Sequence, residues 1–322
     1  MPLVTSSYKP GLFLRNGHLA TIYPHLFRKI KGINYNRQRF DLPDGDFIDL
    51  DWTINKKHPT NKIAIIIHGL EGTTDRQYML GAAKHLSAHQ YDIVGINLRN
   101  CSTDPNRLYK SYNGGTTEDI KEVVNLVKNK SYNQIHLLGF SLGGNLVLKF
   151  LGEDPKVASC ITSAVAVSVP CDLYDALLQI DRPQNFVYQK RFLKHLKEKL
   201  YQKCKDFPDR ITKKDVDQCN SLIDIDNLYT SKAHGYKDAL DYYNKCSAKR
   251  FLEDIEVPTL IINAIDDPFL GKLCYPYEEA ERNANLYLET PSYGGHVGFT
   301  DKGTISYAEK RTIAFFDKEN LT

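Results

Sequence analysis

The chain has 322 residues, 42% of them hydrophobic and 25% charged, with a formal net charge of +3 at pH 7. That length can bury the core of one enlarged domain, and the composition is ordinary for a globular protein. So small a charge excess gives no argument for nucleic acid or for acidic substrates as partners.

Residues 1–36 read as an irregular arm rich in aromatic and basic residues. Residues 39–42 and 47–52 then flank Pro43-Asp44-Gly45-Asp46. Ile48, Leu50 and Trp52 alternate with Asp49 and Asp51, which is the period of a half-buried strand, and the Asp-Gly pair supplies a turn. This predicts an antiparallel hairpin. After it, short apolar runs at 63–67, 92–97, 135–140 and 163–169 alternate with helical patterns at 78–89, 118–128 and 144–151. Fully apolar strands alternating with amphipathic helices indicate a parallel sheet covered on both faces.

The alternation stops between residues 171 and 249, a long polar segment read as a helical insertion placed to form a cap or lid. It resumes with strands at 259–264 and 285–288 and a helix at 304–316. No repeat or low-complexity linker divides the chain, so residues 1–322 are read as one α/β domain carrying the cap.

Seven cysteines, scattered and without a C-x-x-C pair, give no zinc or dithiol motif and fit free thiols in a reducing compartment. No leader-like stretch is recognisable, and the longest apolar runs fall far short of the roughly 20 residues of a membrane helix. The default expectation is a cytoplasmic protein.

Gly139-Phe140-Ser141-Leu142-Gly143 matches G-x-S-x-G, with a predicted strand before it and a helix after it. In that context the serine sits on a tight strand-to-helix turn, and flanking glycines remove the Cβ atoms that would clash. A serine hydroxyl needs a base at neutral pH. His296, in the glycine-flanked loop Gly294-Gly295-His296-Val297-Gly298 after the last strand, is the candidate; His234 is the only competitor. The acid should follow the strand at 259–264, where Asp266 and Asp267 are adjacent. Spacing from Ala264 favours Asp267, with Asp266 a neighbour or loop-capping carboxylate. The backbone N–H groups of Leu142 and Leu70 are the expected oxyanion donors.

Taken together these features resemble the YheT-like branch of the α/β-hydrolases, which includes abhydrolase-domain phospholipases and yeast medium-chain ester synthases. Arg15-Asn16-Gly17-His18-Leu19-Ala20-Thr21 is similar to the N-terminal N-x-H-L-x-T signature, and His68-Gly69-Leu70-Glu71-Gly72 falls at the expected place. Asn97-Leu98-Arg99-Asn100-Cys101-Ser102 resembles N-x-R-G-C-S, with Asn100 replacing a glycine. The stretch 229–243 resembles the insertion signature, and 294–299 the histidine loop. The resemblance implies the α/β-hydrolase fold, the triad Ser141, Asp267 and His296, and short- or medium-chain acyl esters or monoacylglycerol-like and phospholipid-derived lipids as substrates.

The expected function is therefore carboxylic-ester hydrolysis through an acyl-enzyme on Ser141. Acyl transfer to an alcohol, using the same residues, is the alternative. A catalytically dead binding protein is disfavoured, because every triad position and elbow glycine is present. The basic stretch 190–214 reads as an amphipathic cap helix rather than a membrane-surface helix, since acids are interspersed. Asp266, Asp267, Glu71 and Asp75 match no metal-ligand spacing, so neither metal nor organic cofactor is expected. Oligomeric state is not legible.

Overall fold

A computed structural model describes residues 3–55, 59–130 and 132–318. Its nine-stranded sheet consists of β1 (Leu3–Val4), β2 (Asn36–Asp41), β3 (Phe47–Thr53), β4 (Lys62–Ile67), β5 (Asp92–Asn97), β6 (Gln134–Phe140), β7 (Ile161–Val167), β8 (Thr259–Ile262) and β9 (Leu286–Glu289). The spatial order is β1-β9-β8-β7-β6-β4-β5-β3-β2. Only β2–β3 and β3–β5 pair antiparallel, so the hairpin closes one edge of an otherwise parallel sheet. This is the α/β-hydrolase fold class.

Between strands run α2 (Gln77–Ala88), α3 (Glu118–Lys128), α4 (Leu142–Glu153) and α5 (Pro155–Ala158), and the described chain closes with α12 (Tyr277–Arg282) and α13 (Tyr307–Phe316). Ile63, Ile65 and Ile67 of β4 face one apolar cluster while Ala64 and Ile66 face another on the opposite side. Covering both faces is what lets β4 read as an unbroken apolar run. Between β7 and β8 every element is helical: α6 (Leu173–Ile180), α7 (Phe186–Asp206), α8 (Lys213–Gln218), α9 (Leu222–Ile225), α10 (Ser231–His234) and α11 (Ala239–Cys246), with short 3₁₀ and π turns among them.

The N-terminal arm departs from expectation. Residues 1–36 were expected to be irregular, yet α1 (Gly17–Phe27) lies within them, its first turn capped by the Asn16 side chain accepting from the Leu19 N–H. The helix is held by distant partners. Arg28 at its end pairs with Glu309 at 2.7 Å, and the Thr21 hydroxyl accepts a hydrogen bond from the His296 N–H at 2.8 Å. Residues 1 and 2 of the arm lie outside the described residues.

Candidate active site

Strand β6 ends at Phe140 and α4 begins at Leu142, leaving Ser141 alone to make the turn, at φ 53° and ψ −121°. A non-glycine residue in that region carries strain of about 1–3 kcal/mol, held here by the strand and helix on either side. The glycines are sterically required: a Cβ on Gly139 would overlap the Gly143 carbonyl, and one on Gly143 would overlap the carbonyls of Ile67 and His68.

The loop after β9 brings His296 to this turn. Its Nε2 lies 2.9 Å from Ser141 Oγ, and its Nδ1 lies 2.9 Å from Asp267 Oδ2 and 3.2 Å from Oδ1. Asp267 is buried, and its Oδ1 also accepts the Phe269 N–H. The neighbouring aspartate does something else. Asp266 Oδ1 accepts the Gly295 N–H at 2.9 Å, so it holds the histidine loop rather than the imidazole. Burial, with a contribution from Asp267, raises its pKa. Val297, at φ 56°, donates its N–H to the Ser168 hydroxyl, and the Phe269 ring lies 4.4 Å from the imidazole. His234, the competing base, lines a separate cavity with Arg99 and Asp119 and is absent from both cavities at Ser141.

The loop after β4 is held by three side chains. The Tyr78 hydroxyl accepts the Gly69 N–H at 3.1 Å, and the Tyr112 hydroxyl accepts the Glu71 N–H at 2.8 Å. His68 is buried and pushed down to about 4 by desolvation, so it stays neutral; its Nε2 accepts the Leu98 N–H, which leaves Nδ1–H to donate to the Gly69 carbonyl. With Gly69 and Glu71 so engaged, the Leu70 N–H between them donates to no group among the described residues, and neither does the Leu142 N–H at the start of α4. First-turn amides of a helix have no intrahelical acceptor, so the latter is open by construction.

Sequence reasoning missed the contact that ties this loop to the helical insertion. Lys199 of α7 donates to Glu71 Oε1 at 2.8 Å, the same oxygen to which the Tyr112 hydroxyl donates at 2.8 Å. Burial opposes the Lys199 ammonium, yet the adjoining Cys101 and Glu71 leave its pKa raised. A separation of 128 residues gave no sequence signal for this pair. Asn100, the departure from the family glycine, adopts φ 60°, a left-handed conformation that asparagine tolerates well. Among the described residues no group of three His, Cys, Asp or Glu side chains is arranged to hold a metal, and none of the seven cysteines is disulfide-bonded.

Two cavities meet at Ser141 and His296. The first, about 150 Å³, runs beneath the insertion and is mainly apolar, lined by Leu142, Leu173, Leu177, Leu196, Leu222 and Ile225 among others. The second, about 330 Å³, lies between α1 and the start of α7 and contains Arg76, His25 and Arg191.

Comparison with known proteins gives the family and the fold. Residues 64–303 match the family described as the alpha/beta hydrolase fold. The "Putative esterase YheT" of Escherichia coli is 34% identical over 95% of this chain and 90% of its own length. The "Phospholipase ABHD3" of Bos taurus is 28% identical over 93% of this chain and 75% of its own length. In structure, the Pyrococcus furiosus esterase Pf2001 superposes with a TM-score of 0.59 at 17% identity, covering 91% of this chain and 98% of that one, which supports the fold. From the tight turn at Ser141 to the histidine loop, and from one end of the chain to the other, this protein belongs to the α/β-hydrolase family, within its YheT-like branch.

Proposed function

We propose that the protein is a serine hydrolase of carboxylic esters, with Ser141 as nucleophile, His296 as general base and acid, and Asp267 as the residue that orients the imidazole. One observation carries this reading: the hydrogen-bonded series Ser141 Oγ, His296 Nε2, His296 Nδ1, Asp267 Oδ2, with both separations at 2.9 Å. Family membership and the esterase and phospholipase names of relatives support it.

In this mechanism Ser141 Oγ attacks the ester carbonyl carbon as its proton passes to His296 Nε2. Asp267 holds the proton on Nδ1 and stabilises the imidazolium. The carbonyl oxygen becomes an anion that accepts from the N–H groups of Leu70 and Leu142, a contribution of about 3 kcal/mol per donor. Collapse expels the alcohol, which takes the proton from His296. Water, deprotonated by the same imidazole, then releases the carboxylic acid.

The apolar cavity receives the acyl chain, because each methylene moved there from water gains about 0.8 kcal/mol. An apolar cavity of about 150 Å³ suits a benzene-sized guest, which favours short and medium chains over long ones. The substrate class is thus short- or medium-chain acyl esters, monoacylglycerol-like lipids included. The test is hydrolysis of nitrophenyl esters of graded length by wild-type and Ser141→Ala protein, with and without ethanol. Hydrolysis that is abolished in the variant and falls off for long chains supports the reading. Activity that survives Ser141→Ala overturns it, and ethyl ester formed faster than free acid makes the enzyme an acyltransferase.

A further inference from the structure

The helix that the sequence hid, with the residues just before it and the start of α7, carries many exposed apolar side chains. Leu12 is 81% exposed, Phe13 63%, Phe27 66% and Val187 73%, with Leu19, Ile22, Tyr23, Leu26 and Phe186 exposed beside them. Several of them adjoin one another. The rings of Phe13 and Tyr23 lie 6.2 Å apart and those of Tyr23 and Phe27 5.2 Å apart along α1. Ile22 and Leu26 of α1 and Val187 of α7 line the wider of the two cavities, so the patch runs into the opening that leads to Ser141. Stacking of His18 on Tyr188 at 5.8 Å fastens the two helices to each other. A patch of this kind on a single chain marks a surface that meets another phase or another protein.

Charge selects between the two. Residues 1–40 contain seven Lys and Arg and no Asp or Glu. Arg28, Arg37 and Arg39 are neutralised by carboxylates elsewhere in the fold, whereas Lys9, Arg15, Lys29 and Lys31 are exposed and take part in no ion pair among the described residues. Lys29 shares a surface cleft with Tyr23 and Phe27, in which the one acid, Asp301, is paired with Lys310. From α7, Lys190 lies over the Phe186 ring and Arg191 reaches His25 at 3.0 Å. A second copy of this chain docked about a two-fold axis would set these cations against their own counterparts. An anionic bilayer reverses the sign of that interaction while accepting the aromatic side chains at its interface.

We infer that the face formed by residues 12–29 and the start of α7 docks on an anionic membrane surface and delivers lipid esters to the wider cavity. The sequence raised such a contact only for the stretch 190–214 and favoured a cap helix there; of that stretch, Lys190 and Arg191 border this face. Farther along α7, Phe192, Leu196 and Leu200 pack inward, as do Lys199, bonded to Glu71, and the buried Lys203. Docking itself does not depend on the chemistry; delivery of substrate rests on the esterase reading, so the two are tested apart.

The docking experiment uses Ser141→Ala protein and phosphatidylcholine vesicles with and without phosphatidylserine. Co-sedimentation should require phosphatidylserine, weaken at high salt, and fall by about tenfold or more in Phe13→Asp/Phe27→Asp, since both rings are exposed and their loss should leave the fold intact. Lys29→Glu should lower the phosphatidylserine dependence without removing an aromatic ring. In otherwise wild-type protein, Phe13→Asp/Phe27→Asp should slow hydrolysis of a vesicle-borne ester and leave a water-soluble nitrophenyl ester unaffected. Absence of vesicle binding at low salt, or binding by Phe13→Asp/Phe27→Asp equal to that of the parent protein, overturns the inference. A wild-type dimer in light scattering that Phe13→Asp/Phe27→Asp dissociates overturns it as well, because the face would then join two copies of the chain.

Discussion

Tyr112→Phe isolates the support of the presumed oxyanion loop. The hydroxyl is buried, accepts the Glu71 N–H at 2.8 Å and donates to Glu71 Oε1 at 2.8 Å. Glu71 holds φ 54°, so its backbone needs tethering to keep the preceding Leu70 N–H turned outward. The variant keeps the ring, and with it the cavity wall, but leaves a buried N–H without an acceptor. That costs about 1–3 kcal/mol. If the loop relaxes to recover the bond, Leu70 turns away, and the loss is felt only where the oxyanion develops, with a ceiling of about 3 kcal/mol for a whole donor. At 1.36 kcal/mol per decade, kcat should fall by roughly 5- to 150-fold while KM stays within about twofold. Steady-state kinetics on a nitrophenyl ester, with a thermal melt of the same samples, measures both. A kcat within twofold of wild type in folded protein would refute the reasoning, as would a loss confined to KM.

Asp267→Asn should reduce kcat by about 10⁴, because the imidazole would be held in the wrong tautomer, whereas Asp266→Asn keeps an acceptor for the Gly295 N–H and should cost under about tenfold; the opposite ranking would reassign the acid. Thr21→Val removes the acceptor of the His296 N–H at nearly constant volume, so kcat/KM should drop by about tenfold or more; unchanged kinetics would free the imidazole from any dependence on α1. Asp226, in the wall of the apolar cavity, is raised from 3.8 to about 6 by burial, against the opposing hydrogen bonds from Thr230 and Tyr243. The folded state therefore keeps a proton that the unfolded chain releases. The Asp226 contribution to stability should be full below pH 3.8 and decline by about 3 kcal/mol as pH rises through 6. Denaturant titrations of Asp226→Asn should lack that component, and an identical pH profile in the variant would contradict it.

The strands β4 to β9 were legible to within two or three residues because each is a short apolar run, buried on both faces, that no helix of that length would display. Ser141 and His296 were legible for a different reason. The backbone around each makes close approaches that only glycines allow, and those glycines stand in the sequence. Helix α1 was not legible: Gly17 opens it, Pro24 interrupts it, and it is fastened by Thr21–His296 and Arg28–Glu309, contacts some 280 residues distant. Nor could adjacency alone divide the work of Asp266 and Asp267. Spacing from Ala264 favoured Asp267, and the positions of the Gly295 N–H and the His296 imidazole give the physical difference between a loop clamp and a partner of the histidine. The Glu71–Lys199–Tyr112 cluster belongs to the same class, three ordinary polar residues whose meaning lies in a shared oxygen.

The central claim is tested most directly by trapping the covalent intermediate. Rapid acid quench during turnover of a nitrophenyl ester, followed by peptide mass spectrometry, reads out which residue carries the acyl group. The acyl mass is expected on the peptide containing Ser141 and on no other. An acyl group found on another side chain, in protein that hydrolyses normally, would contradict the claim.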